Sequence, residues 1–139
     1  MPRPVVVDSS VVLPACVAGG LRFRGEWEWW APALIHSEVL SALHEAVWRR
    51  QLTTAEATAA RSVFAALPMR FEDSWRLADE AWRLADELGL AKTYDAEFVA
   101  LARMRGGLLV TADARLRRGA DRLGFVVDPV ELEQLSDQL

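Results

Sequence analysis

The sequence is 139 residues long, with a formal net charge of −4, 52% hydrophobic residues and 26% charged residues. This length predicts one domain over residues 1–139, and the hydrophobic share is sufficient for one core. The negative charge argues against a protein that binds nucleic acid with its whole surface, but not against an enzyme that holds a phosphodiester through divalent ions. The single cysteine, Cys16, excludes an internal disulfide and is expected to be a buried thiol.

The N-terminal sequence predicts a strand rather than a targeting segment. Val5–Val7 is a continuous β-branched run, which is typical of a strand buried on both faces. Because Asp8 ends that apolar run after three valines, we expect no signal peptide. No apolar stretch approaches the ~20 residues of a membrane span, so we expect a cytoplasmic protein without a membrane partner.

Helices and one connector are predicted for the rest of the first half. Ser9 or Ser10 is expected to cap a first helix that ends at Gly19. Residues 19–30 lack a regular pattern and are predicted to form a connector, held to the body by one or two of its tryptophan rings. Two further helices are predicted, over residues 32–50 and 53–66.

Short apolar strands alternate with helices through the second half of the sequence. Such alternation is typical of a parallel sheet covered by helices on both sides, so we predict an α/β fold. The predicted strands are 69–71, 108–110 and 125–127. The predicted helices are 73–88, a helix that starts at residue 93 or 94, and 113–123.

Two aspartates follow predicted strands directly. Asp8 comes after the first strand, and Asp113 comes shortly after the strand at residues 108–110. Ligands of open parallel sheets bind outside the carboxyl ends of the strands, which favours a role for both residues in a site. Either residue could instead cap the helix that follows it.

Two further carboxylates occupy apolar helix faces. Glu38 lies within the apolar stripe of its helix, and Asp95 lies at a helix start on the same face as Phe98. The alternatives are an arginine salt bridge or solvent exposure for Glu38, and stabilisation of the first helical turn for Asp95. Together with the two strand-end aspartates, these residues predict a carboxylate cluster that needs cations, and Mg²⁺ or Mn²⁺ suits oxygen ligands.

Four segments resemble the motifs of PIN-domain ribonucleases of the VapC toxin family, in that family's order and with about its spacing. The resemblance covers nearly the whole chain and is carried by residues 5–10, 31–40, 94–102 and 109–116. It implies a single PIN domain over residues 1–139, with a PIN-domain-like three-layer α/β/α sandwich around a short parallel sheet. Many relatives have a further short helix where this sequence has the compact stretch of residues 19–30.

The same resemblance implies an enzyme that hydrolyses RNA. Asp8, Glu38, Asp95 and Asp113 match the family's catalytic, metal-binding quartet, and the hydroxyls of Ser10 and Thr111 match supporting positions. The implied cofactor is Mg²⁺, with Mn²⁺ able to substitute. One or two ions would activate water, leaving a 5′-phosphate and a 3′-hydroxyl. The implied partners are the RNA substrate, a VapB-type antitoxin and a second copy in a homodimer.

Several other residues carry weaker indications of function. His36 and His44 lie too far apart in helical phase for a zinc pair. The tryptophans at 48, 75 and 82 are predicted to pack in helices. The arginines at 115, 117, 118 and 122 either contact phosphate or form a solvated face.

Two alternative functions remain. A phosphoaspartyl-type α/β hydrolase would need a lysine near a late strand, whereas Lys92 precedes a helix. A non-catalytic PIN-fold interaction module is the other alternative.

Overall fold

The computed structural model describes residues 2–137 and contains one five-stranded sheet. All neighbouring strands pair in parallel, in the order β3-β2-β1-β4-β5. The strands are β1 (Arg3–Val7), β2 (Trp27–Pro32), β3 (Met69–Glu72), β4 (Leu108–Val110) and β5 (Val126–Val127). The predicted α/β fold with a short parallel sheet is therefore confirmed.

Seven α-helices are present within the described residues. They are α1 (Ser9–Ala18), α2 (Leu34–Trp48), α3 (Thr54–Ala66), α4 (Trp75–Leu88), α5 (Tyr94–Arg105), α6 (Ala114–Ala120) and α7 (Pro129–Asp137). The capping box at the start of α3 is the one that its sequence predicts: Thr53 accepts from the Glu56 amide, and Glu56 accepts from the Thr53 amide. No helix within residues 2–137 is long and apolar enough to cross a membrane.

The chain order of the strands places a switch point between β1 and β4. From β1 the chain builds the sheet in one direction through β2 to β3, and then returns to add β4 and β5 on the other side of β1. Right-handed crossovers therefore put α1, α2 and α3 on one face of the sheet and α4 and α5 on the other. The carboxyl ends of β1 and β4 meet where ligand sites of doubly wound sheets lie.

Gly107 allows β4 to lie against β1. A Cβ built at this residue would stand 2.2 Å from the carbonyl oxygen of Pro4 on β1. Any other residue would push the two strands apart. The close approach holds Val7 and Val110, the last residues of the two strands, in register.

The prediction of a connector over residues 19–30 is wrong from Trp27 onward. Trp27–Pro32 forms β2, and Pro32, which was expected to open a helix, is the last residue of that strand. The charged Glu28 interrupts the apolar pattern of this strand, and in the structure it accepts a hydrogen bond from the Trp30 indole at 2.6 Å. A pinned connector does precede β2, since the Trp27 indole donates to the Arg24 carbonyl at 2.9 Å.

The last described helix, α7, was not predicted. A capping box starts it, because the Asp128 side chain accepts from the Glu131 amide at 2.8 Å and Glu131 accepts from the Asp128 amide. Its far end meets the start of β2, where the Ser136 hydroxyl accepts from the Trp27 indole. The residues after Asp137 lie outside the described part of the chain.

The packing role predicted for three tryptophans is also wrong. Trp48, Trp75 and Trp82 are 80%, 87% and 68% exposed, because each lies on the outer face of its helix. Cys16, in contrast, is buried in the core as expected.

Candidate active site

Asp8, immediately after β1, is the most firmly held carboxylate of the site. Only 6% of the residue is exposed. Its Oδ1 accepts a hydrogen bond from the Ser10 hydroxyl and its Oδ2 accepts one from the Thr111 hydroxyl, each at 2.5 Å. Its side chain makes no capping bond to α1. Burial raises the pKa of Asp8, while both hydroxyl hydrogen bonds oppose that rise.

The two hydroxyls also tie the ends of β1 and β4 together. The Ser10 hydroxyl accepts from the Ala112 amide at 2.9 Å, and the Thr111 hydroxyl accepts from the Asp113 amide at 3.0 Å. Each hydroxyl therefore donates to Asp8 and accepts from the backbone beyond β4. This network fixes the position of the Asp8 carboxylate relative to the start of α6.

Asp113 caps α6, as the alternative interpretation of its sequence position proposed. Its Oδ1 accepts from the amides of Arg115 and Leu116, at 2.9 and 3.2 Å. Asp113 also interacts electrostatically with the other carboxylates, because its negative charge raises the pKa of both Asp8 and Asp95. A cap that uses one oxygen leaves the second oxygen for another ligand.

Glu38, on α2, is half-buried, and one of its two carboxylate oxygens is orphaned. Its Oε1 is inaccessible and has no hydrogen-bond partner among the described residues. No arginine or lysine within residues 2–137 forms an ion pair with it, so the salt-bridge alternative does not apply there. Burial raises the pKa of Glu38 to about 7, with further increases from the charges of Asp95, Asp8 and Glu97.

The start of α5 contributes Asp95 and a second acid that sequence reasoning missed. Burial and the charge of Asp113 raise the pKa of Asp95, and the charge of Arg115 opposes them. Glu97 also has a raised pKa, mainly through burial and then through the charge of Asp73. Its position two residues after Asp95 was the available signal for it. The fold thus brings five carboxylates from four segments within electrostatic range of one another.

The donor chemistry of this cluster fits a hard divalent cation. All its ligating atoms are oxygens, and a bound cation would compensate the burial of the orphaned Oε1 of Glu38. As placed, however, no three or more acidic, histidine or cysteine side chains within residues 2–137 form a group that could hold a metal ion. Binding would therefore require side-chain adjustment in this cluster.

A cleft of about 490 Å³ opens beside two of the carboxylates. Glu38 and Asp95 line it, together with Lys92, Tyr94 and Arg115. Another opening, of about 640 Å³, runs along the outer face of α2 past Trp48 and is lined by none of the four predicted carboxylates. The cleft of about 490 Å³ is the better candidate site, because two carboxylates with raised pKa values, Glu38 and Asp95, line it.

The remaining sequence candidates lie apart from the carboxylates. The His36 ring packs on Phe71, with 4.2 Å between centroids, and His44 lines the opening along α2. The arginines that follow Asp113 have different partners. Arg117 forms ion pairs with the acids at 121, 128 and 131, and Arg122 donates to the Glu87 carbonyl at 2.6 Å. Only Arg115 of these four lines the cleft.

Comparisons with known proteins agree with this fold. A family model described as PIN domain matches residues 5–122. Among solved structures, the crystal structure of PAE2754 from Pyrobaculum aerophilum superposes with a TM-score of 0.73. That protein is 21% identical, and the match covers 100% of both chains, which supports the fold alone. No curated protein matches this sequence.

Proposed function

We propose a function from one premise: the chain belongs to the PIN-domain family, whose model matches residues 5–122. PIN domains are typically nucleases that act on RNA and use divalent metals. We infer that this chain is a Mg²⁺-dependent endoribonuclease. The observation that carries the proposal is the buried, unpartnered Oε1 of Glu38, surrounded by the charges of Asp95 and Asp8. Such an arrangement is costly unless a cation completes it.

Four carboxylates would hold the cation: Asp8, Glu38, Asp95 and Asp113. When bound, Mg²⁺ (or Mn²⁺) would supply a Lewis acid that orients the scissile phosphate and activates a water. The chain's own residues prepare the site for this. The hydroxyls of Ser10 and Thr111 hold both oxygens of Asp8 in place, which limits its reorganisation during the reaction. Water attack on phosphorus leaves a 5′-phosphate and a 3′-hydroxyl.

The proposed biological role is that of the toxin in a type II toxin–antitoxin pair, acting in the cytoplasm. It is supported by the resemblance of four motifs to VapC toxins. We further propose that residues 1–139 form a single PIN domain, that it forms a homodimer, and that a VapB-type antitoxin binds it. Exposed apolar side chains on the outer face of α2, at Leu40 (52% exposed) and Trp48 (80%), offer surface for such partners.

Cleavage of RNA by the purified protein tests the proposal. Wild type with Mg²⁺ should cut RNA, EDTA should stop the reaction, and Asp95→Asn should reduce the rate at least a hundredfold. Asp86→Asn, an exposed aspartate on α4, is the matched control and should cut as wild type does. If Asp95→Asn retains the wild-type rate, this site is not the catalytic one. A folded wild type that cuts no RNA with Mg²⁺ or Mn²⁺ would favour the non-catalytic interaction module.

A further inference from the structure

The outer face of α4 carries two strongly exposed tryptophans that the proposed hydrolysis does not use. Trp75 is 87% exposed and Trp82 is 68% exposed. Trp82 comes seven residues after Trp75, so both side chains lie on one side of the helix, about 10 Å apart along its axis. Ala78, between them on the same side, is small and also exposed. We call this surface, with Asp79 and Asp86 beside it, the tryptophan face of α4.

A cleft of about 230 Å³ opens beside Trp82 at the edge of this face. Trp82 and Ala78 line it together with two acids, Asp73 before α4 and Glu97 on α5. Among the residues that the structure describes, no lysine, arginine or histidine lines it. The cleft therefore combines an exposed indole with negative charge, and these are the two features that bind a guanidinium group.

The acids around the tryptophan face lack cationic partners in the described part of the chain. Outside the five carboxylates of the candidate active site, the acids that form no ion pair there are Glu26, Glu56, Asp73, Asp79 and Asp86. Glu56 is already held by its capping box. Asp79 and Asp86 each follow one of the tryptophans by four residues, which places them on the same side of α4. Unpaired negative charge outside the active site is thus concentrated here.

The two arginines of α4 do not neutralise this face. Arg83 pairs with Glu80 at 2.6 Å on the flank of the helix. Arg76 directly follows Trp75, so it lies about 100° around the helix from that ring, on the same flank as Arg83.

The negative charge selects among partners. It would repel the phosphates of a nucleic acid or of an anionic membrane surface. A second copy of this chain that used the same face would set these acids against themselves, because a twofold contact brings the same patch of both subunits together. A basic protein segment complements the face, since its cations can stack on the indoles and pair with the acids.

We propose that the tryptophan face of α4 docks a basic helix of a partner protein, and that one arginine of that helix enters the cleft to stack on Trp82 beside Asp73 and Glu97. A helix fits because the face is a stripe at the three- and four-residue spacing along which helices pack. Arginine fits because its planar guanidinium both stacks on an indole and pairs with carboxylates. A second arginine seven residues away would lie at Trp75, since two helical turns separate the rings. This inference does not depend on the ribonuclease function, which uses neither tryptophan.

Fluorescence anisotropy of a labelled basic peptide tests the docking. The probe is an alanine–glutamine helix of about 18 residues with blocked termini and two arginines seven residues apart. It should bind wild type saturably, and replacing both arginines by glutamine should abolish binding. Arginines placed nine residues apart lie on opposite sides of the peptide helix, so that peptide should bind about fivefold more weakly. A wild type that shows no saturable binding, or equal binding of all three peptides, would overturn the proposal.

Variants of the protein locate the peptide on this face. Trp82→Ala should weaken binding about fivefold, and Trp82→Phe, which keeps an aromatic ring, should lose less. Asp73→Asn should weaken binding about threefold and make it less dependent on salt. Trp48→Ala removes an exposed ring of α2, and Glu26→Gln removes an exposed acid without an ion pair; both should bind the peptide as wild type does. Equal binding by Trp82→Ala and wild type would refute the assignment of the cleft.

Two rival sites for a cation are tested in the same assay. A basic peptide that bound the carboxylates of the candidate active site would be lost from Asp95→Asn, whereas the proposal requires Asp95→Asn to bind it as wild type does. Spermine, a small polycation without a helix to pack on Trp75, should displace the peptide only at higher concentration than the unlabelled peptide does. Loss of binding in Asp95→Asn, or displacement by spermine at lower concentration, would overturn the proposal. Circular dichroism would confirm that each variant is folded.

Discussion

The Thr111 hydroxyl, directly after β4, donates a 2.5 Å hydrogen bond to Oδ2 of Asp8, directly after β1. The same hydroxyl accepts from the Asp113 amide, so one buried side chain connects two of the proposed metal ligands. This contact joins the two strand ends on either side of the switch point in the sheet.

Thr111→Val should destabilise the protein, because it keeps the shape but leaves a buried carboxylate oxygen and a backbone amide without their partner. The expected loss in the free energy of unfolding is about 1 to 3 kcal/mol at neutral pH, measured by urea denaturation. The pKa of Asp8 should rise further, since this hydrogen bond lowers it. Thr111→Ser retains the hydroxyl and should keep most of the stability. A valine variant as stable as wild type would show that the contact is dispensable.

Glu38→Gln should make the metal-free protein more stable at pH 8. The folded-state pKa of Glu38 is raised to about 7 from an ordinary 4.5, so folding disfavours its ionised form. Wild type in EDTA should therefore lose stability as the pH rises from about 4.5 to about 7. The variant should escape that loss and gain about 1 to 2 kcal/mol, a value reduced for solvent screening.

The control for this prediction is Glu133, a half-buried glutamate on α7 that lies outside the carboxylate cluster. Glu133→Gln removes a charge from α7, where Glu133 pairs loosely with Arg24 at 3.5 Å, and should not gain stability at pH 8. Thermal melts at pH 5 and pH 8 in EDTA give the comparison. A Glu38→Gln protein that melts well below wild type at pH 8 would mean that Glu38 has a stabilising partner.

Gly107→Ala should strongly destabilise the sheet. The added Cβ would meet the Pro4 carbonyl at 2.2 Å, so β1 and β4 must separate or shift. We expect a loss of more than about 2 kcal/mol and a lower melting temperature, as for other overpacked positions. Gly119→Ala, within α6, meets no atom within 4 Å and should instead stabilise by up to about 1 kcal/mol. Similar effects of the two substitutions would refute this steric account.

The outer face of α2 should mediate self-association. Trp48→Arg places a charge on a surface that is already 80% exposed in the single chain, so the fold should be unaffected. Light scattering at micromolar concentration should show a dimer for wild type and a monomer for this variant. Trp75→Arg on α4 is the matched control and should remain dimeric. A wild-type monomer, or a dimeric Trp48→Arg protein, would contradict the assignment of this face.

The sheet and its strand-end acids could be predicted because their signals are local. Val5–Val7 has no polar interruption, and Asp8 follows it at the edge where parallel strands end together. The strand Trp27–Pro32 was missed because its one glutamate has partners that hold it in the sheet: Glu28 accepts from Trp30 in the same strand, and Arg70 on β3 lies 3.7 Å from it. A pattern of hydrophobicity cannot represent such pairing.

The details of the candidate site depended on contacts between distant segments. Neither the double use of Ser10, which donates to Asp8 and accepts from Ala112, nor the burial of Glu38 Oε1 is encoded by spacing along the chain. Glu97 was missed for the same reason, since only the fold brings its charge near Glu38. Residue type, strand-end position and position on an apolar helix face predicted the candidate residues, and the fold supplied their partners.

Calorimetric titration of Mn²⁺ tests the central claim most directly, because it measures ion binding by the carboxylates without requiring a known RNA. Wild type should bind one or two ions per chain, and Asp8→Asn and Asp95→Asn should each lose most of that heat while remaining folded. Asp86→Asn should titrate as wild type does. Saturable binding that disappears only in the two site variants is the predicted result. A folded wild type that binds no Mn²⁺, or site variants that bind it as tightly as wild type, would contradict the account.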